Sequence, residues 1–163
     1  MNEAQPGLAG RRSRRWLSIL IGYFGILEAA HLVVILWAGL HFTHTGKIGF
    51  PALPPGGGWS VDVTPWLIGN GALDFIFAIA GIRFCFQYFR RRGTWFRWGI
   101  FSLSGALYSA GIFAFGTIPG GAWRLHPLAY GLLAAVFSPI LPCLYLLWRH
   151  AGAAEGTMWK QGM

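Results

Sequence analysis

Acidic residues are scarce in this sequence: five Asp or Glu among 163 residues, with charged side chains at 11% of the chain against roughly a quarter in an ordinary soluble domain. That shortage points away from a soluble globule. Cysteine is nearly absent too, and two thiols, Cys85 and Cys143, cannot form a disulfide framework. Lysine occurs twice, at Lys47 and Lys160. No internal repeat is present, and the Gly56-Gly57-Gly58 run has no following Lys-Ser/Thr and no helix opening directly after it, so it is no phosphate loop. What the chain has instead is apolar mass: 55% of it is hydrophobic, beside a formal charge of +8.

A bilayer core of about 30 Å takes about 20 apolar helical residues to cross. Four such runs stand out: Trp16 to Leu40, Trp66 to Phe89, Trp98 to Ile118 and Leu128 to Trp148. They fill more than half of the chain and leave no room for a second, soluble domain. The expected fold class is therefore an all-α integral membrane protein with four transmembrane helices, a basic tail over 1–15, an outer loop over 41–65 and a second tail over 149–163.

Sorting the basic residues by connection gives an orientation. Arg11, Arg12, Arg14 and Arg15 precede the first run, Arg90, Arg91, Arg92 and Arg97 lie between the second and third, and Arg149 and Lys160 follow the fourth. Only Lys47 and Arg124 fall in the other two connections. Short-loop Lys/Arg bias places its side in the cytoplasm, so both termini are expected there, in a bacterial cytoplasmic (inner) membrane. Trp16, Trp66, Trp98, Trp123 and Trp148 mark span ends, where amphipathic rings meet headgroups. Arg14 and Arg15 carry the paired arginines of an export signal. The apolar stretch behind them is much longer than a signal core of about 7–15 residues and holds Glu28, so an uncleaved first helix is expected.

The loop 41–65 is broken by Pro51, Pro54, Pro55 and three consecutive glycines, and is expected either to move freely or to fold back over the helix ends. Small residues crowd the third span at Ser102, Gly105, Ala106, Ser109, Ala110, Gly111 and Ala114. In lipid, close backbone approach over such residues drives helix association, so the third helix should be the packed one, toward a membrane-protein partner or a second copy. Pro139 and Pro142 cannot donate to the carbonyls of Ala135 and Ser138, so the fourth helix should bend.

Two of the five acids, Glu28 and Asp74, fall inside the spans, where an ionised side chain costs about 2.5–3.5 kcal/mol. Glu28 and His31 share a helix face, as do Asn70 and Asp74, and the two pairs lie at similar depth. Neighbouring first and second helices would bring Glu28, His31, Asn70 and Asp74 into one polar cluster, which Tyr108 on the third helix could close. Such a cluster could relay protons or couple transport, hold a lipophilic amine or polarise a double bond, or only fix helix register by hydrogen bonding. Its single Glu-x-x-His motif falls short of the two motifs and two further carboxylates of a di-metal bundle.

Other histidines give weaker signals. His41, His44 and His126 share the outer side with Asp62 and form a conceivable zinc or copper set. No cofactor is specified, because His31 is the only histidine deep in a span and a bis-histidine haem needs two. Cys85 and Cys143 lie toward the inner ends, as small packed thiols. The basic clusters are too short for a nucleic-acid domain, and their expected contacts are membrane lipids.

With no complete catalytic set, the sequence favours an accessory, structural or assembly subunit of a larger membrane complex over an enzyme. The competing expectation is a self-sufficient bundle that binds, transports or isomerises a lipophilic molecule through its intramembrane carboxylates. The two differ in geometry: the second requires a cavity of a few hundred Å³ at Glu28, His31 and Asp74, and the first a filled interior and an apolar face built for another protein.

Overall fold

The computed structural model describes residues 8–149, with side chains from Ser13 onward; Lys160, most of the second tail and the side chains of Arg11 and Arg12 lie outside the described residues. Six helices follow in order: α1 (Leu8–Thr45), α2 (Val63–Phe89), α3 (Trp95–Thr117), the single turn α4 (Ala122–Leu125), α5 (Pro127–Phe137) and α6 (140–149). Among the described residues there is no strand. Four segments are long and apolar enough to cross a membrane: Ser13–Thr45, Val63–Phe89, Trp95–Thr117 and Pro127–Arg149, the last made of α5 and α6. These match the four runs read from sequence, with the third ending at Thr117, two residues before Pro119, rather than at Ile118.

Local chemistry sets the ends. Thr45 is followed by Gly46 at φ 66°, a left-handed position that suits glycine, and its N–H donates to the carbonyl of Phe42. Gly121 at φ 80° turns the chain into α4, and Pro127 opens α5 at a position where no intrahelical donor is needed.

The fourth span is broken where its prolines stand. Residues 138 and 139 leave the helix, and the two carbonyls that the prolines cannot serve find other donors: Ser138 Oγ donates to Ala135 O at 2.8 Å, and Leu141 N–H to Ser138 O at 3.2 Å. This is how a proline break survives in lipid. Tyr23 Oη, from α1, donates to Val136 O just before the break.

One half of the bundle is a closed core. Leu17, Ile21 and Phe24 of α1 meet Phe84 and Cys85 of α2, Leu103 and Ala106 of α3, and Ile140, Cys143 and Leu147 of α6, all buried. Cys85 and Cys143 are free thiols within it. Cys85 Sγ donates to Ile21 O at 3.2 Å, filling the space opposite Gly25.

The small face of α3 is used inside the chain. Ser102, Gly105, Ala106 and Ser109 are buried, and aromatic rings of α2 occupy the room: the Phe77 ring fits where a Cβ of Gly105 would stand, and Trp66 where one of Gly116 would. This part of the third helix's small face is packed against α2 within the chain rather than left for another protein or a second copy. Farther along the same stripe Ala110 and Ala114 are not buried, because α5 stands away from α3 beyond the break.

The connection between α1 and α2 folds back over the helix ends. Tyr130 Oη donates to Leu53 O at 2.7 Å, a ring nitrogen of His126 lies 2.9 Å from Pro54 O, and Trp59 Nε1 donates to Ala52 O at 2.9 Å. Tyr130 is buried beneath this loop between Trp123 and Phe113, which stack on it.

Candidate functional site

Where α5 parts from α1 and α3, a cleft of about 560 Å³ opens. Leu27, Val34, Phe77, Phe113, Val136 and Phe137 supply apolar walls from four helices, and Phe50 and Pro51 reach in from the loop. Leu107, Ala110, Ala134 and Leu141 line it and are themselves exposed, so it is a cleft in the side of the bundle rather than a sealed chamber.

Besides Ser138 and Trp123, whose polar atoms are spent on Ala135 O and Thr117 Oγ1, the polar groups in this lining are Glu28, His31, Asp74 and Ser109. With Asn70 they form a line across three helices. Ser109 Oγ donates to Asn70 Oδ1 at 2.9 Å, and Asn70 Nδ2 donates to Asp74 Oδ2 at 3.3 Å. Asp74 Oδ2 stands 4.0 Å from His31 Nε2, and His31 Nδ1 stands 3.6 Å from Glu28 Oε2.

The line is tight at one end and loose at the other. Both histidine separations exceed hydrogen-bond length, so Glu28, His31 and Asp74 are electrostatic neighbours that are not closed upon one another. Glu28 is 1% exposed, and its Oε1 has no hydrogen-bond partner. Gly81 permits this depth: a Cβ there would stand 2.9 Å from Glu28 Cγ and 3.0 Å from Phe24 Cε1. An unpartnered buried polar atom costs about 1–3 kcal/mol and calls for an explanation. His31 is held by its ring, edge-on to Phe137 at 5.2 Å between centroids.

The sequence-predicted site residues divide as follows. Glu28, His31, Asn70 and Asp74 come together as expected from their shared faces. Tyr108 does not join them: it is 61% exposed and faces away from the cleft, and its neighbour Ser109 takes the place on α3. Adjacent helical residues point about 100° apart, and the buried small face of α3 selects Ser109. That stripe of small residues was the signal that could have found it. Phe77, Phe137, Phe50 and Pro51 were also missed, since nothing in their local sequence separates a cleft wall from ordinary apolar packing.

The outer histidines do not assemble. His41 stacks on Trp37, His44 is exposed and His126 is engaged with the loop carbonyl. Among the described residues no three of His, Cys, Asp or Glu are placed to hold a metal ion.

Chemically, the site offers carboxylate acceptors beside an imidazole, at the base of an apolar cleft within the span region. It suits a molecule with an apolar body and a head that donates hydrogen bonds. Comparison of the chain with protein-family models, with curated proteins and with solved structures finds no match in any of the three.

Proposed function

We propose that this chain is a self-contained four-helix membrane protein that takes a lipophilic small molecule from the bilayer into the lateral cleft and holds its polar head on Glu28, His31 and Asp74. The observation that carries this reading is that Glu28, His31 and Asp74 all line the cleft, and that one buried oxygen of Glu28 has no partner within the chain. A cavity of this size suits a small-molecule ligand, and its opening in the side of the bundle gives access to molecules dissolved among the acyl chains.

The head group follows from the charges. Two carboxylates flank one imidazole, so a protonated amine, which can donate to one carboxylate and offset the charge of the second, is the best complement. An accessory-subunit role, the first expectation from sequence, calls for a filled interior, and the cleft at the polar cluster favours the binder instead. The same reading sets the protein in a bacterial inner membrane with both termini in the cytoplasm, supported by the clustering of arginines at one end of the spans.

The test is thermal unfolding of the detergent-solubilised chain with decylamine, decanol and decane as probes. Decylamine at about a hundredfold its Kd should add about 2.7 kcal/mol, a rise of about 5–10 °C. The Glu28→Gln/Asp74→Asn double variant should lose that rise. Equal stabilisation by decanol would keep the cleft and reject the amine; no stabilisation by any probe would defeat the reading.

A further inference from the structure

At the end of the bundle away from the loop cap, α2 stops in a turn that its sequence does not favour. Arg90 N–H donates to Phe86 O at 3.1 Å, Arg91 N–H to Tyr88 O at 3.0 Å and Arg92 N–H to Gln87 O at 3.0 Å, with Arg91 at φ 52°. The last two bonds are those of a Schellman motif, whose left-handed position is normally glycine. A side-chain-bearing residue is disfavoured there, and what the turn achieves is to fold Arg92 back over the last turns of α2.

There Arg92 joins Arg83, Phe86 and Gln87 around a pocket of about 280 Å³. Arg83 and Gln87 are four residues apart and share a face. The Arg83 guanidinium lies over the Trp98 ring, 4.4 Å from its centroid, which orients its planar fork. Gln87 is 8% exposed, and Thr94 Oγ1 donates to its Oε1 at 2.7 Å, which leaves Nε2 as the free donor of the amide. No carboxylate lines the pocket, and among the described residues neither arginine is ion-paired. Arg90 is not part of it, being stacked on Phe86.

We propose that Arg83, Gln87 and Arg92 form a binding site for the phosphate of an anionic lipid headgroup. Two planar guanidinium forks and an amide donor match the several acceptor oxygens of a phosphodiester. A lipid is favoured over soluble phosphate by position. Arg83 sits about 9 Å inside the end of α2, and Ile82, Phe86 and Phe89 around it are exposed apolar side chains that acyl chains would cover. The site does not depend on the cleft or on what the cleft binds.

Native mass spectrometry of the detergent-solubilised chain, titrated with phosphatidylglycerol or phosphatidylcholine, tests this. Phosphatidylglycerol should be retained in preference to phosphatidylcholine, whose phosphodiester is neutralised by a choline cation that the two arginines repel, and Arg83→Gln and Arg92→Gln should each weaken its retention about fivefold. Arg91→Gln makes the same change in charge without touching the pocket and should leave retention within about twofold. Arg92→Lys, which keeps the charge and loses the fork, should fall between. Equal weakening by Arg91→Gln would reduce the effect to diffuse attraction by a basic turn and overturn the site. Equal retention of the two lipids would overturn its anion selectivity, and displacement of lipid by millimolar inorganic phosphate would overturn the choice of lipid. Should Arg83→Gln fail to fold for want of its contact with Trp98, the Arg92 and Arg91 variants decide the question, since both lie in an exposed turn.

Discussion

Replacing Glu28 by methionine asks whether that carboxylate holds the helices together or waits for a ligand. The side chain is 1% exposed, Oε1 has no partner and Oε2 is 3.6 Å from His31, beyond hydrogen-bond length. Removing the unpartnered oxygen returns its desolvation cost, about 1–3 kcal/mol, and losing so long a contact with His31 costs less than a full hydrogen bond of about 1 kcal/mol. Methionine is the right replacement because it is unbranched at Cγ, and Glu28 Cγ packs closely on the bare backbone of Gly81. A net gain of about 1–2 kcal/mol corresponds to a rise of about 2–8 °C in a chain of this size. Tryptophan fluorescence during heating of the ligand-free protein in detergent reads it directly. Glu28→Gln should give no such gain, because it places a buried N–H where the unpartnered oxygen was. Decylamine should no longer stabilise Glu28→Met. A fall in Tm for Glu28→Met of several degrees would refute the reasoning, since it would mean that the carboxylate is a structural tie and that the loose end of the polar line is closed in solution.

Gly105→Ala should lower Tm and weaken probe binding together: its Cβ would collide with the Phe77 ring, overpacking of this kind costs about 1–3 kcal/mol, and the displaced ring lies in the cleft wall. Tyr130→Phe removes the bond to Leu53 O and should cost about 1 kcal/mol, with faster proteolysis within 46–62 as its local signature. Pro139→Ala supplies a donor for Ala135 O and favours a continuous fourth span; binding of decylamine should weaken while Tm holds or rises, and unchanged affinity would separate the cleft from the break. Ser109→Ala should cost about 1 kcal/mol through its bond to Asn70, and Tyr108→Phe should leave Tm and binding unchanged.

The spans, the bend at Pro139 and the pairing of Glu28 with His31 and of Asn70 with Asp74 were legible because each depends on spacing within one helix. Apolar runs, the missing donors of proline and the i,i+3 and i,i+4 rules need no knowledge of neighbours. What the sequence could not supply was which side of each helix meets which other helix. Tyr108 lies at the right depth on α3 but on the wrong side, and Ser109, one residue on, was counted only as a small packing residue. The cleft was likewise beyond reach, because it arises from the distance between α5 and the rest of the bundle. The loop 41–65 was open between two fates, and the donors that settle it, Tyr130 and His126, are more than 70 residues away in sequence from the carbonyls they meet.

The closed core and the cleft occupy opposite halves of the same four spans, meeting near Ala106 and the Ser138–Pro139 break. Substitutions on the two sides of that boundary therefore fall on different properties. In the half built on Phe24, Phe84, Leu103 and Leu147 nearly any change is a change in whether the chain folds. In the other half, Val34, Leu133 or Val136 can be exchanged for another apolar residue of different shape while the sealed half goes on holding the helices. On the proposed binding role, a bundle divided in this way could change the shape of its ligand by small steps, each survivable, with the carboxylates and the fold held constant.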